Sequence, residues 1–438
     1  MRKIFPGLSH RYGKIFLGEQ LLTCSNIAHP DILIIGGGSA GIAAAVGAAE
    51  TGASVVLLEK NAALGGKATA AYVSTICGLY YRNNDPAVRY AVGGFPHIFA
   101  EKLQVLSSSY PFFYKNGLRF LPYDHFAFIR LCDEIVQQNN ITLYLHAHLI
   151  QVEKDNQRIH KVSAIIHNRP ITFQPKVVID SAGESVVSRF AGVDTVENEK
   201  YQAAAQTFIM TGIATNDEQK LCLSLLRSVR KGIEDGLYPK HYEMLSIIPG
   251  SLKLNRAVFK LGLPLEVGND LSEITRLQLF ARKAVTEIVD YLKTHNNLFR
   301  NALLSMIAPE VGIRTGPRNV GKIALQREDV MNCQKVQDAV ARGTWPIEFW
   351  VPGKKLHLEY FALNDHYDIP GRALQSATIK NLLFAGRNIS ASEEALASAR
   401  VIGTCLATGY AAGHLAAGVI NNESYETTIA TVQRLLFF

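Results

Sequence analysis

The sequence predicts an α/β fold in which a Rossmann-like domain is combined with a discontinuous second α+β domain. Three observations lead there. An apolar run breaks into Gly36-Gly37-Gly38-Ser39-Ala40-Gly41, a second apolar run ends on Glu59, and two more strand-to-glycine breaks occur at Val177 to Gly183 and at Asn381 to Asn388.

A chain of 438 residues, 48% hydrophobic and 19% charged, can bury a large core and exceeds a typical single domain. The net charge of +7, from 45 basic against 38 acidic residues, is spread along the chain apart from short clusters such as Arg227, Arg230 and Lys231. These read as solvated faces, and no nucleic-acid partner is expected. The cysteines Cys24, Cys77, Cys132, Cys222, Cys333 and Cys405 form no C-x-x-C pair, so neither a zinc knuckle nor a dense disulfide scaffold is indicated. Free thiols and a cytoplasmic location are expected. Residues 1–27 are basic but lack the apolar core and cleavage site of a secretory signal, and are expected to form an N-terminal arm.

Taken in chain order, Ile32 to Ile35 is a strand, Ala40 to Glu50 is alanine-rich and helical, Gly52 caps the helix, and Ser54 to Leu58 is the next strand. This is a βαβ unit. Residues 141–180 alternate apolar and polar, predicting a small antiparallel sheet, and the pattern is mainly helical from Thr211 to about Met306. Val401 to Ile420 is apolar, with His414 its one side chain able to carry charge. Ala and Gly dominate it, so a buried helix is expected and no membrane span.

Each glycine of the G-x-G-x-x-G has a physical task. Gly36 permits a tight turn, Gly38 lets backbone approach a diphosphate, and Gly41 lets the helix pack closely on the sheet. Ser39 and Ala40 then open the helix, whose amides and dipole face the phosphates. Glu59, with Lys60 beside it, stands where a carboxylate would accept from ribose hydroxyls.

Taken together, the glycine loop and the blocks that follow it make the chain resemble the FAD-dependent oxidoreductases of the glutathione-reductase-like flavoprotein superfamily, and more narrowly a family related to the fumarate reductase flavoproteins. The resemblance runs from about Asp31 to Ile420 in five blocks. They are Gly36 to Gly41 with Glu59; Leu64 to Thr69; Ile179 to Glu184; Gly312-Ile313-Arg314 with Arg318, Gly321 and Asp329; and Asn381 to Gly413. It implies FAD as cofactor. The ADP half would lie on Gly36, Gly38, Gly41 and Glu59, the ribityl chain and flavin beside Gly65, Gly66, Lys67 and Ala68, and Ala182 and Gly183 would close over the diphosphate. Gly386, Arg387, Gly403 and Thr404 would meet the ribityl and pyrimidine end, where a helix beginning near Gly403 would stabilise negative charge on a reduced flavin. Ser181 and Glu184 stand where such proteins more often carry Thr and Asp.

No C-x-x-x-x-C pair, second G-x-G-x-x-G or cysteine cluster is present, which argues against a disulfide reductase, a pyridine-nucleotide reductase and a resident iron–sulfur centre. What remains is hydride transfer between a small organic substrate and flavin N5, as a dehydrogenase or oxidase, with oxygen, a quinone or a redox partner protein completing the cycle. An electron-transfer or assembly subunit without its own substrate is the alternative. Arg314 and Arg318 are candidates to anchor a carboxylate substrate, or else ties between domains. His357, in an alternating run with Glu359 and Phe361, is the leading acid/base candidate, or else a structural histidine. Cys77 is expected near the flavin or as a buried thiol. His146 and His148 share a strand face without a third ligand, so no metal site is expected. The expected division is 28–95, 140–215 and 373–438 for the FAD-binding domain, and 96–139 with 216–372 for a substrate or cap domain. A homo-oligomer is compatible with the sequence.

Overall fold

The computed structural model describes residues 13–17, 20–24, 27–198, 201–266, 268, 270–353 and 356–437. Most of the expected N-terminal arm lies outside them. Its described part is an antiparallel ribbon of Gly13–Leu17 and Gln20–Cys24.

The central element is a parallel sheet. We label its strands and the two helices that matter for the site β1 (Ile32–Ile35), α1 (Ser39–Ala49), β2 (Val55–Leu58), β3 (Thr142–Tyr144), β4 (Val177–Asp180), β5 (Leu382–Phe384) and α2 (Ile402–Asn421). The strand order is β5-β4-β1-β2-β3, with every neighbouring pair parallel. Every residue of β1, β2, β4 and β5 is buried, as strands covered on both faces require. The small sheet expected over 141–180 is found at Ala147–Lys154, Ile159–Ile166 and Arg169–Phe173, while the ends of that stretch supply β3 and β4.

The alanine and glycine content of α2 serves close packing. A Cβ at Gly409 would fall 2.1 Å from the Ala40 carbonyl oxygen, and one at Gly413 would fall 2.3 Å from that of Ala44. The helix therefore lies directly on α1. Among the described residues no helix is long and apolar enough to cross a membrane.

A second, antiparallel sheet has the order 245–247, 257–262, 205–211, 303–307. With the helices Glu218–Glu234 and Leu271–His295 it encloses a separate core that includes Phe208, Phe259, Leu277 and Ile288. The packing divides the chain differently from the expected boundaries. Helices Gly94–Leu106 and His125–Gln138, expected in the second domain, bury Phe99, Phe128 and Leu131 in the core of the parallel sheet, and Val340, Tyr367 and Ile369 join the same core. Conversely, Ala205–Thr211, expected in the first domain, is an inner strand of the antiparallel sheet. An amphipathic pattern tells which face is buried, not which sheet buries it.

Candidate functional site

The site forms where β1, β4 and β5 end. Gly36 adopts φ +100°, and a Cβ there would lie 2.6 Å from Ala182 Cα, so the turns after β1 and β4 touch backbone to backbone. Gly41 lies beneath the turn, where a Cβ would sit 1.8 Å from the Gly36 carbonyl oxygen. Ser181 fastens the loop from β4, its hydroxyl donating to the carbonyls of Ile35 (3.0 Å) and Gly36 (2.8 Å). A serine here keeps the donor that the commoner threonine would provide.

Gly38 differs from the other two. At φ −72° any residue could stand there, and its Cβ position meets only Gly66 Cα, at 3.9 Å. Open space thus lies before the first amides of α1, whose N-cap has no side-chain hydrogen bond and whose first turn has no acid. Those amides lack intrahelical acceptors and carry the positive end of the helix dipole, which makes the space a cradle for an anionic group. Glu59 is buried beside it. Its carboxylate oxygens accept from the N–H groups of Gly37 (2.6 Å) and Asn61 (2.8 Å), and burial raises its pKa. Each oxygen retains a lone pair for a further donor.

These turns line an open cleft. All the expected cofactor residues line it except Gly41, Gly403 and Thr404, and Asn61, Ser181, Glu184, Glu310, Arg400 and Cys405 join them. Arg387 ties its walls together, donating from Nη1 to the carbonyls of Ile313 (3.0 Å) and Thr315 (3.2 Å) with Glu184 3.6 Å away, and Lys67 pairs with Glu310 at 2.6 Å. An elongated anionic dinucleotide fits this donor set, with helix amides for a diphosphate, a carboxylate for ribose and cations along the remaining length. Gly403 has a different task from the expected one. Its N–H donates to the Cys77 carbonyl (2.9 Å), and a Cβ would fall 2.7 Å from that oxygen, so the first turn of α2 packs on residues 77–79. Ile402 and Cys405 face the cleft instead.

A second cavity adjoins the cleft, sharing Lys67, Ala68, Arg387, Arg400 and Ile402 with it and reaching Thr207 and Lys260 on the antiparallel sheet. Arg314 lies here, its guanidinium 4.4 Å from the centre of the Trp350 ring and donating to the Ala203 carbonyl. Lys260 Nζ is 4.5 Å from the same ring centre. Arg400 Nη2 donates to the Glu348 backbone carbonyl at 3.2 Å. The Glu348 carboxylate accepts from the indole N–H of Trp345 (2.6 Å) and from that of Trp350. Burial, reinforced by Arg314, pushes the Lys260 pKa down to about 8, and burial with Arg400 nearby also lowers that of Arg314. Burial acts against ionisation of Glu348, but Arg400, the Trp345 N–H and Arg314 hold its carboxyl below the ordinary range.

One wall of the cavity is a strained segment. Tyr72 and Ser74 have φ of 48° and 66°, a conformation that costs non-glycine residues of order 1 kcal/mol or more and persists where surroundings enforce it. Here His125 enforces it. Its Nε2 lies 2.7 Å from Ser74 Oγ, and its ring stacks on Tyr72 with centroids 4.2 Å apart. Val73, Thr75 and Cys77 consequently line the cavity. Burial pushes the Cys77 thiol pKa up, which keeps it protonated.

Two of the expected catalytic residues lie elsewhere. Arg318, only 4% exposed, donates to Asn198 Oδ1 at 2.7 Å in the two-stranded pairing of 318–319 with 195–196, and lines neither space. The His357 side chain is 64% exposed and rests 3.3 Å from Glu359 Oε1, which removes it from acid/base candidacy. His146 occupies a turn at φ 54° with its ring 5.0 Å from that of His167, and the described residues contain no group of three side chains able to hold a metal. Lys260, Glu348, Trp350 and Arg400 were not anticipated. Lys260 carried one usable signal, as the lone charge in the otherwise apolar strand Ala257–Gly262.

No curated protein matches the sequence. Among solved structures, a geranylgeranyl bacteriochlorophyll reductase-like protein from Thermoplasma acidophilum aligns at 13% identity over 94% of this chain and 83% of its own, with a TM-score of 0.46. The flavin-dependent brominase Bmp2 aligns at 12% identity over 93% and 83%, with a TM-score of 0.46. The aromatic hydroxylase CabE aligns at 9% identity over 92% and 65%, with a TM-score of 0.45. Likeness at this level bears on neither substrate nor reaction. The sequence profile of the FAD dependent oxidoreductase family matches residues 31–436, nearly the whole chain, and the protein belongs to this family of FAD-using enzymes.

Proposed function

We propose that the protein is a dehydrogenase or oxidase that transfers hydride between a small organic substrate and FAD. The cavity beside the cofactor cleft carries this reading. It is partly enclosed, holds convergent half-buried polar groups and shares a wall with the cleft, which is what a substrate of the enzyme's own requires. A subunit that only relays electrons would need an open face instead.

Gly36, Gly38, Ser39, Ala40, Glu59, Gly65, Gly66, Ala182 and Gly183 would hold the cofactor along the cleft, with Lys67 and Arg387 toward the shared wall. When bound, the flavin supplies a two-electron acceptor or donor for a substrate C–H bond. The protein's part is to orient the substrate against the shared wall, exclude water and keep charge in place. Oxygen or a redox partner protein would complete the cycle.

The test is anaerobic mixing of the yellow holoprotein with a panel of small organic reductants, followed by the flavin absorbance. One chemical class should bleach the flavin rapidly. Bleaching by none of them, with rapid reduction by a redox protein instead, would overturn the reading in favour of a relay subunit.

A further inference from the structure

The second cavity holds more positive charge than its own acids compensate. Lys260, Arg314 and Arg400 line it, and Glu348 is its one acid. The Glu348 carboxylate is engaged by two indole N–H groups, and among the described residues none of the three cations has a salt bridge within 4.0 Å. Arg400 and Arg387 also border the cofactor cleft, so their charge can serve the cofactor. Lys260 and Arg314 line the second cavity alone, both against Trp350. Half-buried cations in excess of the acids around them are costly, and an entering anion offsets part of that cost. The remaining wall is apolar, from Ala71, Val73, Ile248 and Val401.

We propose that Lys260 and Arg314, set against the Trp350 ring, form an anion subsite that takes the carboxylate of a small substrate whose apolar body packs on the opposite wall. This deepens the proposed function and rests on it for the position of the flavin. A guanidinium offers a planar carboxylate two parallel N–H donors, and the ammonium adds a compact charge. The charged groups that bear on Lys260 are Arg314 and Glu348, with the protonated Cys77 thiol beside them, and burial with Arg314 lowers its pKa to about 8. An entering carboxylate favours the ammonium form, so binding should take up a proton on the alkaline side of that value.

The experiment titrates FAD-loaded protein with benzoate and with acetate, each against its neutral amide, and reads the perturbation of the flavin absorbance. At least one carboxylate should shift the spectrum saturably, with its amide more than about tenfold weaker. Lys260→Met and Arg314→Met should each weaken the response about tenfold or more while the bound flavin stays, and Lys260→Arg should retain it. Should the methionine variants fail to fold, the wild type still decides the matter, since its carboxylate affinity should fall as pH rises past about 8. Equal binding of acid and amide, unaltered affinity in yellow variants, or affinity flat through that pH would overturn the subsite. Protein that cannot hold FAD would instead count against the cofactor assignment.

Discussion

Gly38 and Gly41 stand three residues apart in one loop, and the geometry separates what each does. A methyl at Gly41 would sit 1.8 Å from the Gly36 carbonyl oxygen and 2.7 Å from Ser181 Oγ, so Gly41→Ala must push α1 off its turn. Overpacking of this kind costs about 1–3 kcal/mol or more, and the apoprotein should melt earlier. A methyl at Gly38 has only Gly66 Cα within 4 Å, at 3.9 Å, on a backbone any residue can adopt. Glycine is preferred over alanine at an N-cap, so the exchange costs up to about 1 kcal/mol there, offset by about 0.4–1 kcal/mol from reduced freedom of the unfolded chain. Gly38→Ala apoprotein should therefore melt like the wild type. The methyl would nevertheless stand in front of the α1 amides, and one lost charge-assisted hydrogen bond there costs about 1.5–3 kcal/mol, or about ten- to a hundredfold in FAD affinity. Thermal melts of the apoproteins and FAD titrations by flavin fluorescence check both halves. Wild-type FAD affinity in Gly38→Ala would refute the cradle, and an early melt of its apoprotein would trace the lost affinity to folding.

His125 should leave a mark on acid stability. Burial lowers its pKa from 6.5 to about 4, so the native state keeps it neutral while the unfolded chain takes up a proton below 6.5. Its contribution is fully present above pH 6.5 and lost as pH falls toward 4, up to roughly 3 kcal/mol. In His125→Phe the slope of unfolding free energy against pH in that window should be shallower by up to one proton, and an unchanged slope would show that the imidazole is not held neutral. His357→Ala removes an exposed side chain and should change stability by less than about 0.5 kcal/mol. It should also leave the rate of flavin bleaching by a reductant as it was, and slowed bleaching would return His357 to the reaction.

The cofactor cleft was legible in the sequence because its turns leave a local mark. Gly36 with its positive φ and Gly41 beneath the turn stand where a close approach leaves only glycine as the answer, although what approaches Gly36 is Ala182, far along the chain. The second cavity was legible only at Arg314. Lys260, Glu348 and Arg400 come from separate parts of the chain and meet it only in the folded structure. His357 illustrates the reverse error. Its alternating pattern correctly gave the strand His357–Glu359 and put it beside Glu359, but alternation says nothing about whether a face meets solvent or a cavity. The domain boundaries failed similarly at Phe99 and Phe128, whose helices are amphipathic whichever core they join. Gly403 was expected at the ribityl and pyrimidine end of the flavin, yet what approaches it is the backbone at Cys77 and Gly78.

The most direct measurement is the flavin content of the purified protein, released by heat, identified chromatographically and compared with the protein concentration. One FAD per chain, or colourless protein that becomes yellow and holds FAD after incubation with it, is the predicted result. Protein that carries no flavin and does not take up FAD would contradict the cofactor site on which the rest depends.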